Sequence, residues 1–298
     1  MADPPCSAVS LALDEPLQAT ASAVRNWVLI EQPGAWGPDA LHESAFPQDV
    51  AAALEGLARE HRFRILLLRR PERPSGTRRH CFVAHSGRRS HWVEERVVAD
   101  VEELLAIDFG PLRDGQPVGF GPRRSRPLYL VCTNGRHDPC CANQGRPVAR
   151  ALRPYRGGSV WECSHFGGDR FAGNLVCLPH GLYYGRLSPA DAVQVVELYE
   201  RGTIDLDHYR GQAGEAFAVQ AAEFFLRSHA GLLGVDDLRA TAVRRPGGGD
   251  VEVAFAGRGG RRFDVRVAVR PAGEARPLSC HAAGLAQPPT YSLVDIRG

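Results

Sequence analysis

Between Cys132 and Asp169 the chain reads CTNGRHDPCCANQGRPVARALRPYRGGSVWECSHFGGD, and this stretch limits what the rest can be. It holds Cys132, Cys140, Cys141 and Cys163, four of the eight cysteines, together with His137, His165, Asp138 and Asp169. Thiolate, imidazole and carboxylate are the side chains that bind transition metals and iron–sulfur clusters. Cys132 closes one apolar, strand-like run and Cys163 closes another. The candidate ligands therefore fall on loops at strand ends, where a rigid sheet can hold them. A fold that brings these two loops together is the requirement the stretch imposes.

The remaining composition is permissive. The 298 residues suffice for more than one ordinary domain without help from disulfides. A net charge of +2 argues against a dedicated nucleic-acid binder. Every basic residue is arginine, which rules out a phosphate-binding loop built on a G-K-[ST] motif. The signatures G-x-S-x-G and H-E-x-x-H are also missing, so no hydrolase or zincin motif points to a catalyst. No segment looks like a secretory leader, and no apolar run approaches a membrane span. A cytoplasmic location is expected, where thiols stay reduced and clustered cysteines bind metals or catalyse more often than they cross-link.

Periodicity predicts three regions: an N-terminal α/β region over 1–121, a central domain over 122–205 and an appendage over 206–298. The first begins with a mildly helical stretch around Cys6. It continues with a strand at 26–31, a helix at 48–61, a strand at 63–68, a basic loop at 69–79 broken by Pro71, Pro74 and Gly76, and strands at 80–84 and 91–98. A short helix at 101–107 and a linker at 108–126 follow. The central region runs as a strand at 128–132, a helix at 142–152, a strand at 159–163, a hairpin at 174–185 and a helix capped by Ser188. Strand, helix, strand, hairpin, helix is the order of the thioredoxin-like fold, and the first region follows the same order without the cysteines. The appendage reads as an amphipathic helix at 216–229, with Phe217, Ala221, Phe224 and Phe225 on one side, then three strands from residue 240 onward. The expected class is α/β (α+β), with thioredoxin-like domains and a small C-terminal α+β appendage.

The runs LYLVCTNGRHDPCCANQGRPVARAL and VWECSHFGGDRFAGNLVCLPHGLYYGRL, with EPLQATASAVRNWVLIEQPGAWG upstream, resemble the sucrase/ferredoxin-like family, a branch of the thioredoxin-like ferredoxins. The resemblance implies a 2Fe-2S cluster, an electron-transfer role and redox partner proteins, a reductase and an acceptor. With the low net charge and the lack of a long apolar run, no nucleic-acid or membrane partner is expected, and nothing here resembles a sugar-hydrolysis site. By position the resemblance implies Cys132 and Cys141 as one ligand pair. The second pair falls at His165 and Asp169, the latter standing where eukaryotic members carry a second histidine. Imidazole in place of thiolate raises a cluster's potential, and a carboxylate, harder and anionic, draws it back down.

Other assignments remain open at this point. Cys163, two residues before His165, shares a strand face with it and is one alternative fourth ligand; Cys140 is another. His137 and Asp138 are expected to shape their loop, and Arg136, Arg146 and Arg170 to be surface residues or donors near the cluster. Cys6, Cys81, Cys177 and Cys280 read as free thiols. Two Cys, one His and one Asp also suit structural zinc. A thiol redox protein is the third reading, against which stands the lack of any C-x-x-C.

Overall fold

The computed structural model describes residues 4–70, 78–156, 158–271 and 273–298. The 71–77 part of the expected basic loop, with Pro71, Pro74 and Gly76, lies outside the described residues. After a short helix α1 (Cys6–Ala12), the chain forms β1 (Asn26–Glu31), α2 (Gln48–His61), β2 (Phe63–Arg69), β3 (Arg79–Ser86) and β4 (His91–Val98). Two 3-10 turns lead to β5 (Leu128–Cys132), α3 (Pro139–Arg156), β6 (Val160–Cys163), β7 (Leu175–Leu178), β8 (Leu182–Tyr184) and α4 (Pro189–Glu200). These central elements follow the order expected from the sequence.

Both regions and one later strand, β9 (Tyr209–Gln212), merge into a single nine-stranded sheet of order β4-β3-β1-β2-β6-β5-β7-β8-β9. In each half the first two strands pair in parallel, β1 with β2 and β5 with β6, and the third returns antiparallel on the first. The halves thus repeat one strand order, mirrored about a short antiparallel join, Leu68↔Cys163 and Arg69↔Glu162. A twisted sheet of this size curls. Trp27 on β1 reaches Tyr183 on β8, five strands away in the sheet, with ring centroids 6.3 Å apart. The His91 and His180 rings meet at 4.1 Å.

Strand alternation sorts the core. Trp27, Leu29, Leu130, Cys132, Trp161 and Cys163 face the interior of the curl. Val28 and Ile30 pack outward under α2, and Tyr129 and Val131 outward with the buried residues of α3 and α4. With both faces covered, β1 and β5 are buried at every position, which is why β5 and the middle of β1, Trp27 to Ile30, read as apolar runs.

The appendage comprises α5 (Phe217–Ala230) and a meander of β10 (Leu238–Gly247), β11 (Asp250–Gly257), β12 (Arg262–Pro271) and β13 (Pro289–Arg297). The sequence reading missed β13, whose residues are half-buried or exposed. It also missed β9, whose YRGQ lacks an apolar pattern although all four residues are buried. The helix does not present the expected face: Phe217 is exposed. Ala218, Val219, Ala222 and Leu226 pack on the meander, while Phe224 turns to the main sheet, so α5 is sandwiched and buried on two sides. Among the described residues no helix is long and apolar enough to cross a membrane.

A buried ion-pair network locks this sandwich. Arg88, from the β3–β4 turn, binds Glu223 on α5 and donates to Glu215 (3.0 Å) and to the Leu238 carbonyl (3.2 Å). Arg227 donates to Glu223 from within α5 (2.9 Å). Burial pushes the Glu223 carboxyl up, but Arg88 and Arg227 outweigh it and hold its pKa below the ordinary range. Replacing Glu223 by Ala removes the only carboxylate partner of Arg227 among the described residues and leaves Arg88 with Glu215 alone, and it is expected to cost about 3–5 kcal/mol in urea unfolding. Because the native pKa is depressed, the stabilisation is complete above the usual glutamate value of about 4.3. It is lost as pH falls through the native pKa, and the Ala variant should show a weaker acid dependence.

Candidate metal centre

The β5–β6 pair builds the centre. Its strands are parallel, with Cys132 beside Cys163 in register, so the loops that leave them emerge at the same end of the sheet. After Cys132 the chain turns on Asn134, whose side-chain oxygen accepts the backbone N–H groups of Arg136 (3.2 Å) and His137 (3.4 Å). Asp138 then accepts the Cys140 N–H (2.8 Å) and starts α3, delivering Cys141 over the strand end. Gly145 allows this close approach: a Cβ there would lie 2.0 Å from the Cys132 carbonyl oxygen.

The second loop is pinned by its carbonyl groups. Phe166 O accepts from Ser22 (2.9 Å) and Arg64 (2.8 Å), Gly167 O from Arg210 (3.1 Å) and Gly168 O from Asn174 (2.7 Å). Arg210, only 1% exposed, also donates to Asn174 Oδ1 (2.8 Å) and the Thr20 carbonyl (2.7 Å). Gly168 has a φ of +87°, and a Cβ would stand 2.3 Å from the Arg210 guanidinium, so glycine is required on both counts.

These loops bring together the four residues singled out from the sequence. Cys132 Sγ lies 4.0 Å from His165 Nδ1, His165 Nδ1 2.8 Å from Asp169 Oδ1, and Cys141 Sγ 3.1 Å from the same oxygen. Cys132, Cys141 and His165 form one convergent donor group, and His137, His165 and Asp169 form an overlapping one. His137 is the residue that sequence reasoning placed in the loop without a further role. Its ring stacks on His165 at 3.8 Å, and its Nε2 lies 3.8 Å from Asp169 Oδ2. Its place between the two cysteines was the available signal.

The alternative ligands point elsewhere. Cys163 is fully buried in the interior core and belongs to neither group; burial pushes its thiol well above the ordinary range. Cys140 turns away from Cys141 towards Cys6 and Ala172. Arg170 pairs with Glu15 (2.9 Å) instead of facing the donors.

The four titratable groups perturb one another strongly. The hydrogen bond from Cys141 lowers the Cys132 pKa, burial opposes it and the His165 interaction assists, leaving this thiol well below its usual range. Cys141 is correspondingly raised by Cys132, by burial and by Asp169. Burial would depress His165, but its hydrogen bonds to Asp169 and Cys132 prevail and raise it to about 9. Burial likewise opposes ionisation of Asp169, yet His165, Cys141 and His137 hold it below the usual carboxylate range. These shifts favour the charged forms of His165, Asp169 and Cys132 together and the neutral thiol of Cys141, and binding of a cation to such donors is coupled to proton release. The thiols are buried, whereas the His165 side chain is 22% exposed, so the histidine edge is the side open to solvent.

A buried site of thiol, imidazole and carboxylate donors at the ends of parallel strands defines a candidate metal-binding protein. The chain belongs to the sucrase/ferredoxin-like family, whose model matches residues 17–211, well over half of the sequence. No curated protein and no solved structure matches it. The match spans the two donor-bearing loops and nearly all of the large sheet; it ends before α5.

The placement of Cys163 is directly testable. Cys163→Ala should leave the metal-to-protein ratio unchanged and cost roughly 1 kcal/mol of stability, as a small core truncation does. Cys141→Ala should abolish binding at this centre, read by elemental analysis of the purified chains.

Proposed function

We propose that the protein is an electron carrier holding one 2Fe-2S cluster through Cys132, Cys141, His165 and Asp169 on a thioredoxin-like half of the sheet. The convergence of these four donors from two braced loops carries the reading, and membership of the sucrase/ferredoxin-like family supports it. The donor chemistry fits: two thiols suit one iron, and an imidazole with a carboxylate suits the other, as mixed ligation does in Rieske centres. Such a cluster, when bound, supplies one-electron chemistry.

The chain supplies the surroundings. Cys132 and Cys141 sit against the dry interior of the curl, where Trp161, Phe166 and Leu130 exclude water. Arg210, Arg64 and Asn174 fix the carbonyl groups of the second loop, so that His165 and Asp169 keep their orientation through a change of charge. His165 and His137 border a surface cleft lined also by Pro38, Asp39 and Leu41. That cleft is where a reductase and an acceptor would approach.

Protein purified anaerobically should be brown, with about two irons and two sulfides per chain. After dithionite reduction it should give a rhombic EPR signal of low average g. Its midpoint potential should lie above the roughly −400 mV of all-cysteine plant-type clusters. Asp169→Ala should alter the visible spectrum, and an unchanged spectrum would remove Asp169 from the ligand set. A colourless chain carrying zinc at Cys132 and Cys141 would replace this reading with a structural metal site.

A further inference from the structure

A second convergence of donors lies behind the first. Cys6 from α1, Asp138 and Cys140 from the start of α3, and Cys280 from the segment between β12 and β13 place their ligand atoms within 4.8 Å of one another. The sulfur separations are 3.7 Å for Cys6–Cys140, 3.4 Å for Cys140–Cys280 and 3.5 Å for Cys280–Cys6. Asp138 Oδ2 lies 3.6 Å from Cys6 Sγ. Tetrahedral zinc, with Zn–S of about 2.3 Å and Zn–O of about 2.0 Å, requires S···S near ~3.8 Å and S···O near ~3.5 Å. The three sulfur pairs and the Cys6–Asp138 pair already stand close to those separations.

The surroundings are built for the same purpose. Asp138 divides its carboxylate: Oδ1 caps α3 through the Cys140 N–H, while Oδ2 faces the thiols and accepts the Cys280 N–H (2.6 Å). The sulfurs receive outer donors, Ser7 Oγ on Cys140 (3.2 Å) and the Cys6 N–H on Cys280 (3.4 Å), as metal-bound thiolates commonly do. Asp138 is fully buried, and among the described residues its carboxylate has no cationic partner. A buried carboxylate facing three thiols with no cation is a costly arrangement that a divalent ion would relieve.

We infer that Cys6, Cys140, Cys280 and Asp138 form a second, structural site for a zinc ion. It is separate from the first: the adjacent Cys140 and Cys141 turn to opposite sides of the α3 terminus. It is also closed, with four protein ligands and no open position, which makes it structural rather than catalytic. Cys6 precedes the family match and Cys280 follows it. The ion joins the two ends of the chain to the helix that carries Cys141. Helix α1 packs on the turn holding Asp169, so the site braces the first centre from behind.

The test uses the full chain. Elemental analysis should find about one zinc that persists in Cys132→Ala/Cys141→Ala. In Cys6→Ser/Cys280→Ser that zinc should be lost while the visible spectrum of the first centre is retained. Asp138→Asn, which keeps the shape of the cap, should weaken zinc retention against a chelator at least tenfold. Cobalt(II) added to metal-free full-length Cys132→Ala/Cys141→Ala should give intense tetrahedral d–d bands with thiolate charge transfer, both abolished by one equivalent of zinc. The inference is overturned if Cys132→Ala/Cys141→Ala holds neither zinc nor tetrahedral cobalt. It is equally overturned if Cys6→Ser/Cys280→Ser keeps the full zinc content, or if two of the three thiols prove to be disulfide-bonded in the native protein.

Discussion

Everything at the candidate centre depends on the parallel pairing of β5 with β6. Parallel strands send their carboxyl ends to the same edge, and the crossover helix between them must start at that edge as well. One topological choice therefore gathers three segments that carry candidate donors: the end of β5, the start of α3 and the loop after β6. An antiparallel pair would have put Cys132 and the loop after Cys163 at opposite ends of the sheet. The first half repeats the same topology with β1, α2 and β2, but its residues at these places serve packing and internal hydrogen bonds. The Glu31 side chain accepts the His80 N–H, and Trp36 lies under the Arg69 guanidinium.

The curl of the sheet is the second condition. It turns Cys132, Cys141 and Cys163 toward one apolar interior and leaves His165 and His137 at the rim. Anionic donors placed against a dry core need counter-charge or a metal, and the protein provides for that without bringing an arginine to the ligands. Arg210 and Arg64 act on the loop's carbonyl groups instead, fixing its shape without joining the donor group.

The parts of this architecture that were legible in the sequence are local. Cys132, Cys141, His165 and Asp169 lie on two loops of one short stretch, so strand-end position marked the stretch, and the family resemblance picked these four out of its eight candidate donors. The buried strands announced themselves as apolar runs. The parts that were not legible depend on distant packing. Cys6 and Cys280 read as isolated thiols because their meeting with Cys140 requires both the large sheet and the docked appendage. β9 escaped notice because Arg210 and Gln212 are buried by hydrogen bonding instead of hydrophobicity. The expected face of α5 failed at Phe217 because the helix serves two neighbours, and its polar residues Gln220, Glu223 and Arg227 are interior.

The central claim is that His165 and a carboxylate share a cluster with two thiolates. Pulsed EPR of the dithionite-reduced protein, with and without nitrogen-15 histidine, addresses it most directly. The account predicts one strongly coupled histidine nitrogen, lost in His165→Cys. A reduced cluster with no coupled nitrogen, or with two of comparable strength, would contradict it.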